Sequence, residues 1–349
     1  MSLGRAIYTS ALGNELHALV GERRCVVICS EEISRYGLVS QLLESDLDGA
    51  ILIHVPDGEN QKDFETYRTI LQRLGEIKFP RDGVIVGLGG GATTDLAGFV
   101  AATWMRGIDW IAVPTTLAGM VDAAIGGKTG INLSSGKNLV GAFHLPLATL
   151  IDQRMLTTLS RRDISAGLAE VLKCGFISDG SILDIAERLS EAELSSPGSS
   201  PLLGELIKRS ATVKEEIVSS DLRESAQRAI LNYGHTLGHA IEIIEKYRLR
   251  HGEAVAIGMV FAAELSHRIH GLSREVVDRH RAILSKFDLP TSYSSGSFDS
   301  LQEVMERDKK VKDGNLRFVT LKASGKAELT EKIPIDTARD VFNERIASA

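Results

Sequence analysis

Short apolar runs punctuate the first half of the chain, and helical periodicity takes over the second. Cys25–Cys29 (CVVIC), Ala50–Val55 (AILIHV), Gly83–Gly89 (GVIVGLG), Trp110–Pro114 (WIAVP) and Ala148–Asp152 (ATLID) are apolar at nearly every position. Such runs suit strands buried on both faces, where the usual alternation is lost. Between the second and third runs, Phe64, Tyr67, Ile70, Leu71 and Leu74 recur at helical spacing. Strands alternating with helices predict a parallel sheet covered on both faces, with ligands at the carboxyl ends of its strands.

Beyond about Leu159 the strand signal nearly stops. Ile164–Ile177, Leu202–Ser219, Ala226–Tyr247, Glu253–His270 and Arg274–Phe287 carry helical patterns, and only Leu316–Lys322 alternates like a strand. SSPGSSP (Ser195–Pro201) is a loop between helices. The apolar stretch Ala254–Ala263 is too short to span a bilayer and predicts a buried helix. The expected fold class is α/β. Residues 1–159 form an N-terminal parallel-sheet nucleotide-binding domain, and residues 160–349 a mostly α-helical metal- and substrate-binding domain.

The charge balance changes this picture only by exclusion. Forty Lys and Arg face 46 Asp and Glu, a net charge of −6 over 349 residues, so no basic field advertises nucleic-acid binding. Any anion has to be captured by a local group of cations. The three cysteines, Cys25, Cys29 and Cys174, form neither a disulfide framework nor a CxxC zinc ribbon. The opening MSLGRAIYTS lacks an apolar signal core, so a cytoplasmic location is expected.

Three groups of residues carry candidate chemistry. GLGGGATTD (Gly87–Asp95) follows a strand pattern and opens a helical one. Its glycines let the backbone approach a phosphate, and the helix N-terminus supplies N–H groups and a positive dipole end. The spacing is neither GxGxxG nor GxxxxGK[ST], which excludes the ordinary dinucleotide and P-loop motifs. DGENQK (Asp57–Lys62), after another strand, offers an acidic group suited to ribose hydroxyls. In NYGHTLGHAIE, His235 and His239 stand four apart on one helix face. His251 follows in RHGEAVAIG, and Glu170 lies in GLAEVLKCG. Two imidazoles and a carboxylate make a familiar catalytic zinc set, though spacing alone leaves open which two histidines ligate. No HExxH is present, which removes a metalloprotease. The third group is cationic. Lys128, Lys137 and Asn138 lie in GGKTGINLSSGKN, a Gly/Ser-rich stretch expected to be a loop; Arg106, Lys173, Lys214, Arg228, Lys309 and Lys310 lie in other motifs. An acidic chain that gathers cations beside glycine-rich turns points to a small polyanion, such as a phosphorylated sugar acid.

Together these strings resemble the 3-dehydroquinate synthase family of sugar-phosphate cyclases. GGGATTDLAGFVAATWMRG, VPTTLAGMVDAAIGGKTGINLSSGKNLVGAFH, GLAEVLKCG, LNYGHTLGHAIE, HGEAVAIG and RDKK occur in the family's order, from about Asp57 to Phe318. The GGG and PTT pieces alone are shared with metal-dependent alcohol and glycerol dehydrogenases. The resemblance implies conversion of 3-deoxy-D-arabino-heptulosonate 7-phosphate to 3-dehydroquinate and phosphate, within the shikimate pathway of aromatic amino acid biosynthesis. One hydroxyl is oxidised by NAD, phosphate is eliminated, the ketone is reduced, the ring opens, and an intramolecular aldol closes the carbocycle. A homodimer is the expected assembly.

The resemblance also implies roles. Glu170, His235 and His251 hold zinc or cobalt, which leaves His239 beside the substrate. Lys128, Asn138 and Arg106 grip the substrate phosphate, Arg106 from a neighbouring subunit. Lys173, Lys214, Arg228, Asn232 and one of Lys309 or Lys310, with Lys310 preferred, fix the carboxylate and hydroxyls, and Asp122 orients part of that network. NAD contacts Asp57, Gly58, Glu59, Asn60, Gln61, Lys62, Gly91, Ala92, Thr93, Thr94, Asp95, Thr115, Thr116, Lys128, Lys137, Met155, Leu156, Thr157 and Thr158. Three features depart from the family pattern. The N-terminus is short of the usual opening strand, which predicts a trimmed sheet edge. Cys174 stands where an aromatic is common, and Tyr233 where Leu is frequent. The rival functions are an aminodehydroquinate synthase, which needs almost the same pocket, and a metal-dependent polyol dehydrogenase, which would release NADH and has no use for the GGKTGINLSSGKN cations.

Overall fold

The computed structural model describes residues 4–47, 49–221, 227–307, 311–312 and 315–347. The chain forms two compact units, Met1–Leu159 with Ser195–Glu215, and Ser160–Leu194 with Glu216–Ala349. A linear division at residue 159 therefore misses one excursion. Gln153 donates its side-chain amide to the carbonyls of Pro197 and Ser200, at 2.7 and 2.8 Å. The Ala6 amide donates to Glu215, and Tyr8 bonds the Lys208 carbonyl. These contacts tie Ser195–Glu215 to the first unit.

That unit is built on strands β1 (Arg5–Tyr8), β2 (Cys25–Ser30), β3 (Ile51–Val55), β4 (Val84–Gly89), β5 (Asp109–Pro114), β6 (Lys128–Leu133), β7 (Gly136–Phe143) and β8 (Ala148–Ile151). Six of them form a parallel sheet in the order β1-β8-β5-β4-β2-β3. β2 and β4 are buried at every residue, as their unbroken apolar runs require. β2 passes outward to β3, whereas β4 passes the other way to β5, so the chain direction switches between the neighbours β2 and β4. Ligand sites of open parallel sheets lie at such a point. Here β4 ends in the glycine turn that opens α2 (Gly91–Thr103), and α1 (Phe64–Glu76) precedes β4. A Cβ on Gly87 would sit 2.6 Å from that of Ala97, and one on Gly89 2.3 Å from Thr93 Oγ1. The small residues thus bring α2 down onto β4, a packing role beside the expected phosphate approach.

Two expectations fail in this unit. The sheet edge is not trimmed, because β1 pairs in parallel with β8 from Arg5↔Ala148 to Tyr8↔Ile151. Only four residues long and half polar, it carries no apolar run to announce it. The Gly/Ser-rich segment around Lys128 is a hairpin rather than a loop, with β6 and β7 antiparallel and Gly130 opposite Gly141. A Cβ on Gly141 would lie 2.2 Å from the Thr129 carbonyl, so the composition that suggested a loop is what lets the strands close.

The second unit is mostly helical. It contains α3 (Arg161–Ile177), the end of α4 (Pro201–Ser220), α5 (His235–Ile244), α6 (His251–His270), α7 (Arg274–Lys286), α8 (Phe298–Arg307) and α9 (Ile335–Arg345). Strands β9 (Val311–Lys312), β10 (Asn315–Ala323) and β11 (Lys326–Pro334) form an antiparallel sheet, of which only β10 shows in the apolar pattern. The expected single helix Ala226–Tyr247 is broken: a 3₁₀ turn (Gln227–Asn232) is followed by Gly234 at φ +80° before α5 begins. Gly234 supplies the left-handed turn that a side chain would strain. α6 is buried along almost its whole length, as Ala254–Ala263 predicts. Two glycines seat it. A Cβ on Gly252 would fall 1.8 Å from the Ala166 carbonyl of α3, and one on Gly258 1.9 Å from the Gly234 carbonyl that precedes α5. Backbone meets backbone at both points, which fixes α3, α5 and α6 against one another. Among the described residues no helix is long and apolar enough to cross a membrane.

His280 of α7 is sealed into this core. It stacks on Phe176 with ring centroids 3.4 Å apart, faces the Tyr233 hydroxyl at 2.9 Å through Nε2, and contacts the Val276 carbonyl through Nδ1. Burial pushes its pKa down to about 3. In the unfolded chain the ring takes up a proton near pH 6.5. The stability tied to its neutral form is therefore full above pH 6.5 and is lost as pH falls toward 3. Denaturant unfolding at pH 7 and pH 5 should cost the wild type about 2 kcal/mol more than His280→Gln. Equal losses in the two proteins would remove His280 as the cause.

Candidate active site

The metal candidates meet in the second unit. Glu170 and Lys173 lie one turn apart on α3, whose N-terminus is capped by Ser160. His235 opens α5, and His251 opens α6. The start of α6 is held by Glu253, which accepts the Arg250 amide and pairs with Arg162 at 2.6 and 2.7 Å. These helix starts aim both imidazoles at one carboxylate. Glu170 Oε1 lies 3.4 Å from His235 Nε2 and 3.2 Å from His251 Nε2, while Oε2 lies 2.5 Å from Lys173 Nζ. Glu170 and Lys173 are each only 1% exposed. One donor atom from each of Glu170, His235 and His251 falls within 4.8 Å of the others.

The electrostatics leave Glu170 ionised and His235 neutral, as metal ligands must be, while His251 gives up a proton to ligate. Burial opposes the charge on Glu170, but Lys173 and then His235 overcome it, so its carboxyl stays ionised well below the usual range. Burial, with Lys173 next, pushes His235 down, leaving it neutral. Burial would also lower His251, yet contacts with Glu170 and Glu242 outweigh it and raise its pKa to about 10. Both Glu170 oxygens are shut from solvent, Oε2 against Lys173 and Oε1 between the two imidazoles. The donor set therefore fits a divalent metal of the zinc or cobalt class.

Around this centre His239 is half-buried on α5, its ring centroid 5.2 Å from that of His235 and 5.9 Å from that of His251. Arg228 is 1% exposed, and its amide donates to Asp221 at 3.2 Å. Asn232 is partly buried at the end of the 3₁₀ turn. Lys309 and Lys310 lie outside the described residues. Glu242 was missed by the sequence reading. It reaches His251 Nδ1 at 3.2 Å, and its spacing from His235 and His239 (i, i+4, i+7) is the signal that places it on their helix face.

In the first unit the two nucleotide motifs are joined by a lysine. Lys62, only 3% exposed, extends Nζ to Asp95 of α2 at 2.6 Å and to the Asn138 side-chain oxygen on β7. The Lys62 carbonyl accepts the Asn132 amide at 2.6 Å; the Asn132 side chain donates to Glu59 and accepts the Asn138 amide. DGENQK, the glycine turn and the GKN segment thus form one network. Burial raises the Asp95 pKa, with Lys62 acting against it. Lys214 pairs with Asp122 at 2.5 Å. Lys128 is exposed and Lys137 partly buried, on β6 and β7. Arg106 is exposed on a turn where Met105 and Arg106 both have positive φ.

The remaining expected NAD contacts divide by exposure. Asp57, Gly58, Glu59 and Asn60 are exposed, whereas Gln61 is buried. Gly91 and Ala92 are partly exposed at the start of α2, whose N-terminus no side chain caps, so its amides can serve an anion. Thr93 and Thr94 are buried, and Thr94 bonds back to the Gly91 carbonyl. Thr115 is buried, and Thr116 accepts the Gly119 amide. Met155 and Leu156 are core side chains, so only Thr157 and Thr158 of that turn present side chains outward.

The family model described as 3-dehydroquinate synthase N-terminal matches residues 52–166, and 3-dehydroquinate synthase C-terminal matches residues 167–311. The chain is 47% identical over 336 residues to a 3-dehydroquinate synthase of Corynebacterium glutamicum (strain R), covering 94% of this chain and 92% of that one. It is similar in structure to a 2-epi-5-epi-valiolone synthase from Streptomyces hygroscopicus subsp. jinggangensis 5008 with NAD⁺ and Zn²⁺ bound. That match has TM-score 0.89 and 26% identity, covering 99% of this chain and 96% of that one. A 2-deoxy-scyllo-inosose synthase complexed with carbaglucose-6-phosphate, NAD⁺ and Co²⁺ matches at TM-score 0.88 and 26% identity, covering 99% and 100%.

The cluster sets a test of its ligands. His235→Ala and His251→Ala should each lose bound metal, whereas His239→Ala should keep most of it and still lose rate. Elemental analysis beside turnover on the three purified variants checks this. A metal-free His239→Ala alongside a loaded His251→Ala would move the metal to the i, i+4 pair.

Proposed function

The chain belongs to the 3-dehydroquinate synthase family, and we propose that it is a carbon–oxygen lyase converting 3-deoxy-D-arabino-heptulosonate 7-phosphate to 3-dehydroquinate and phosphate. It uses NAD and a divalent metal, zinc or cobalt, and acts as a cytoplasmic homodimer. The observation that carries the reading is the cluster of Glu170, Lys173, His235 and His251, in a chain 47% identical to a 3-dehydroquinate synthase.

Glu170, His235 and His251 would hold the metal, which would favour loss of a substrate hydroxyl proton, and NAD bound on the first unit would supply reversible hydride acceptance. The oxidised carbon acidifies the neighbouring C–H, which makes phosphate elimination feasible; the reduced product then opens and closes by aldol addition. The protein's own groups hold the substrate through these steps. Lys128, Asn138 and Arg106 bind the phosphate, Arg106 from the neighbouring subunit. Lys173, Lys214, Arg228, Asn232 and one of Lys309 or Lys310 bind the carboxylate and hydroxyls. Lys173 also keeps Glu170 ionised by its 2.5 Å contact, and Asp122 orients Lys214 at 2.5 Å. His239 supplies a polar contact rather than a metal bond. Asp57–Lys62, Gly91–Asp95, Thr115, Thr116, Lys128, Lys137 and Met155–Thr158 line the NAD site.

The direct test follows phosphate with purified protein, the heptulosonate phosphate, catalytic NAD⁺ and a divalent metal. Phosphate should appear in step with the carbocycle while NADH does not accumulate. Steady NADH formation from a simple polyol would identify a dehydrogenase instead, and turnover of the amino-substituted substrate alone an aminodehydroquinate synthase. Lys128→Ala should lower kcat/KM about 10–100-fold, the loss of one charged hydrogen bond, with fold stability nearly unchanged. Wild-type kinetics in that variant would remove Lys128 from the phosphate site.

A further inference from the structure

The two imidazoles that face Glu170 are held from behind in different ways. His235 Nδ1 lies 3.1 Å from the carbonyl oxygen of Tyr233, a neutral acceptor fixed by the backbone. His251 Nδ1 lies 3.2 Å from Oε2 of Glu242, a carboxylate on α5 whose side chain is 8% exposed. We propose that Glu242 is the positioning residue for His251: it accepts the Nδ1–H, fixes the tautomer whose Nε2 is free to ligate, and stops the ring from turning. The proposal rests on the metal role assigned to Glu170, His235 and His251.

The need for such a restraint comes from where His251 sits. It is the first residue of α6, and its side chain is 41% exposed, against 9% for His235. Packing therefore immobilises the His235 ring but leaves one side of His251 open. A ligand that must be frozen on metal binding loses side-chain entropy at that step, and an outer hydrogen bond made beforehand removes the loss. Glu242 is suited to this because it belongs to another helix. The contact links α5 to the start of α6, two helices already in backbone contact at Gly234 and Gly258. It also makes one face of α5 present a ligand (His235), a polar group (His239) and the brace for the second imidazole.

The same atoms allow one competing arrangement. His239, Glu242 and His251 also place a donor atom each within 4.8 Å of one another, a possible second cation site. A brace and a second site differ in stoichiometry. In a brace, His251 gives Nε2 to the single metal and Nδ1 to Glu242.

The experiment titrates metal-free, full-length protein with Zn²⁺ by calorimetry and with Co²⁺ by visible absorption. The wild type should bind one ion per chain. Glu242→Ala should bind about 10–100-fold more weakly, with an altered Co²⁺ band, as expected for loss of an outer-shell partner. Glu242→Gln, whose amide oxygen can accept the same N–H, should recover most of the affinity, while Glu242→Asp, shorter by one methylene, should stay weak. Wild-type affinity in Glu242→Ala overturns the proposal, as do two ions per chain at saturation or a Gln variant as weak as Ala. Should the Ala variant fail to fold, wild-type affinity in Glu242→Asp overturns it equally. If the wild type binds no metal, the metal centre itself fails, an outcome distinct from a loaded protein indifferent to Glu242.

Discussion

A single buried carboxylate organises the second unit. Placing Glu170 out of water costs several kcal/mol unless its charge is met nearby. Lys173 meets it from the same helix, 2.5 Å away, and the imidazoles of His235 and His251 meet it from two others. The cost of burial thus becomes the reason for three helix segments to converge. Lys173 and then His235 keep the carboxyl ionised against its burial, while burial and then Lys173 keep His235 neutral.

Convergence of that kind needs helices closer than side chains normally allow. Gly252 against Ala166 and Gly258 against Gly234 remove the side chains at two points where α6 meets its neighbours. In the first unit, Gly87 against Ala97 and Gly141 against Thr129 do the same for a helix on a strand and a strand on a strand. The glycines at these points act by close approach. At these positions they set the separations on which the site distances depend.

This explains what the sequence could and could not disclose. Buried strands such as Cys25–Ser30 and Val84–Gly89 are legible because burial on both faces leaves unbroken apolar runs. The hairpin from Lys128 to Phe143 is not, because the glycines that permit its close pairing also mimic a loop. β1 is hidden for the opposite reason: four residues hold their place through the sheet edge and Glu215, not through apolar content. The ligand set behaves likewise. His235 and His239 look equivalent on a helical wheel, and only the tertiary position of Glu170 separates them. Family resemblance singled out His235 and His251, and the ring nitrogens of both face Glu170. Glu242 was within reach of spacing alone, but a helical acidic residue carries no signal until His251 is known to lie beside it.

The first unit solves its charge problem by the same means with the signs reversed. There the buried charge is a cation: Lys62 is 3% exposed and takes Asp95 and Asn138 as partners. Those partners come from the glycine-turn helix and from the hairpin, so one lysine joins three segments that are far apart in sequence. Lys62 therefore sets the relative positions of α2 and the β7 segment. An electrostatic pin of this kind needs no apolar pattern, which is why DGENQK looks like an ordinary turn until the fold brings its partners to it.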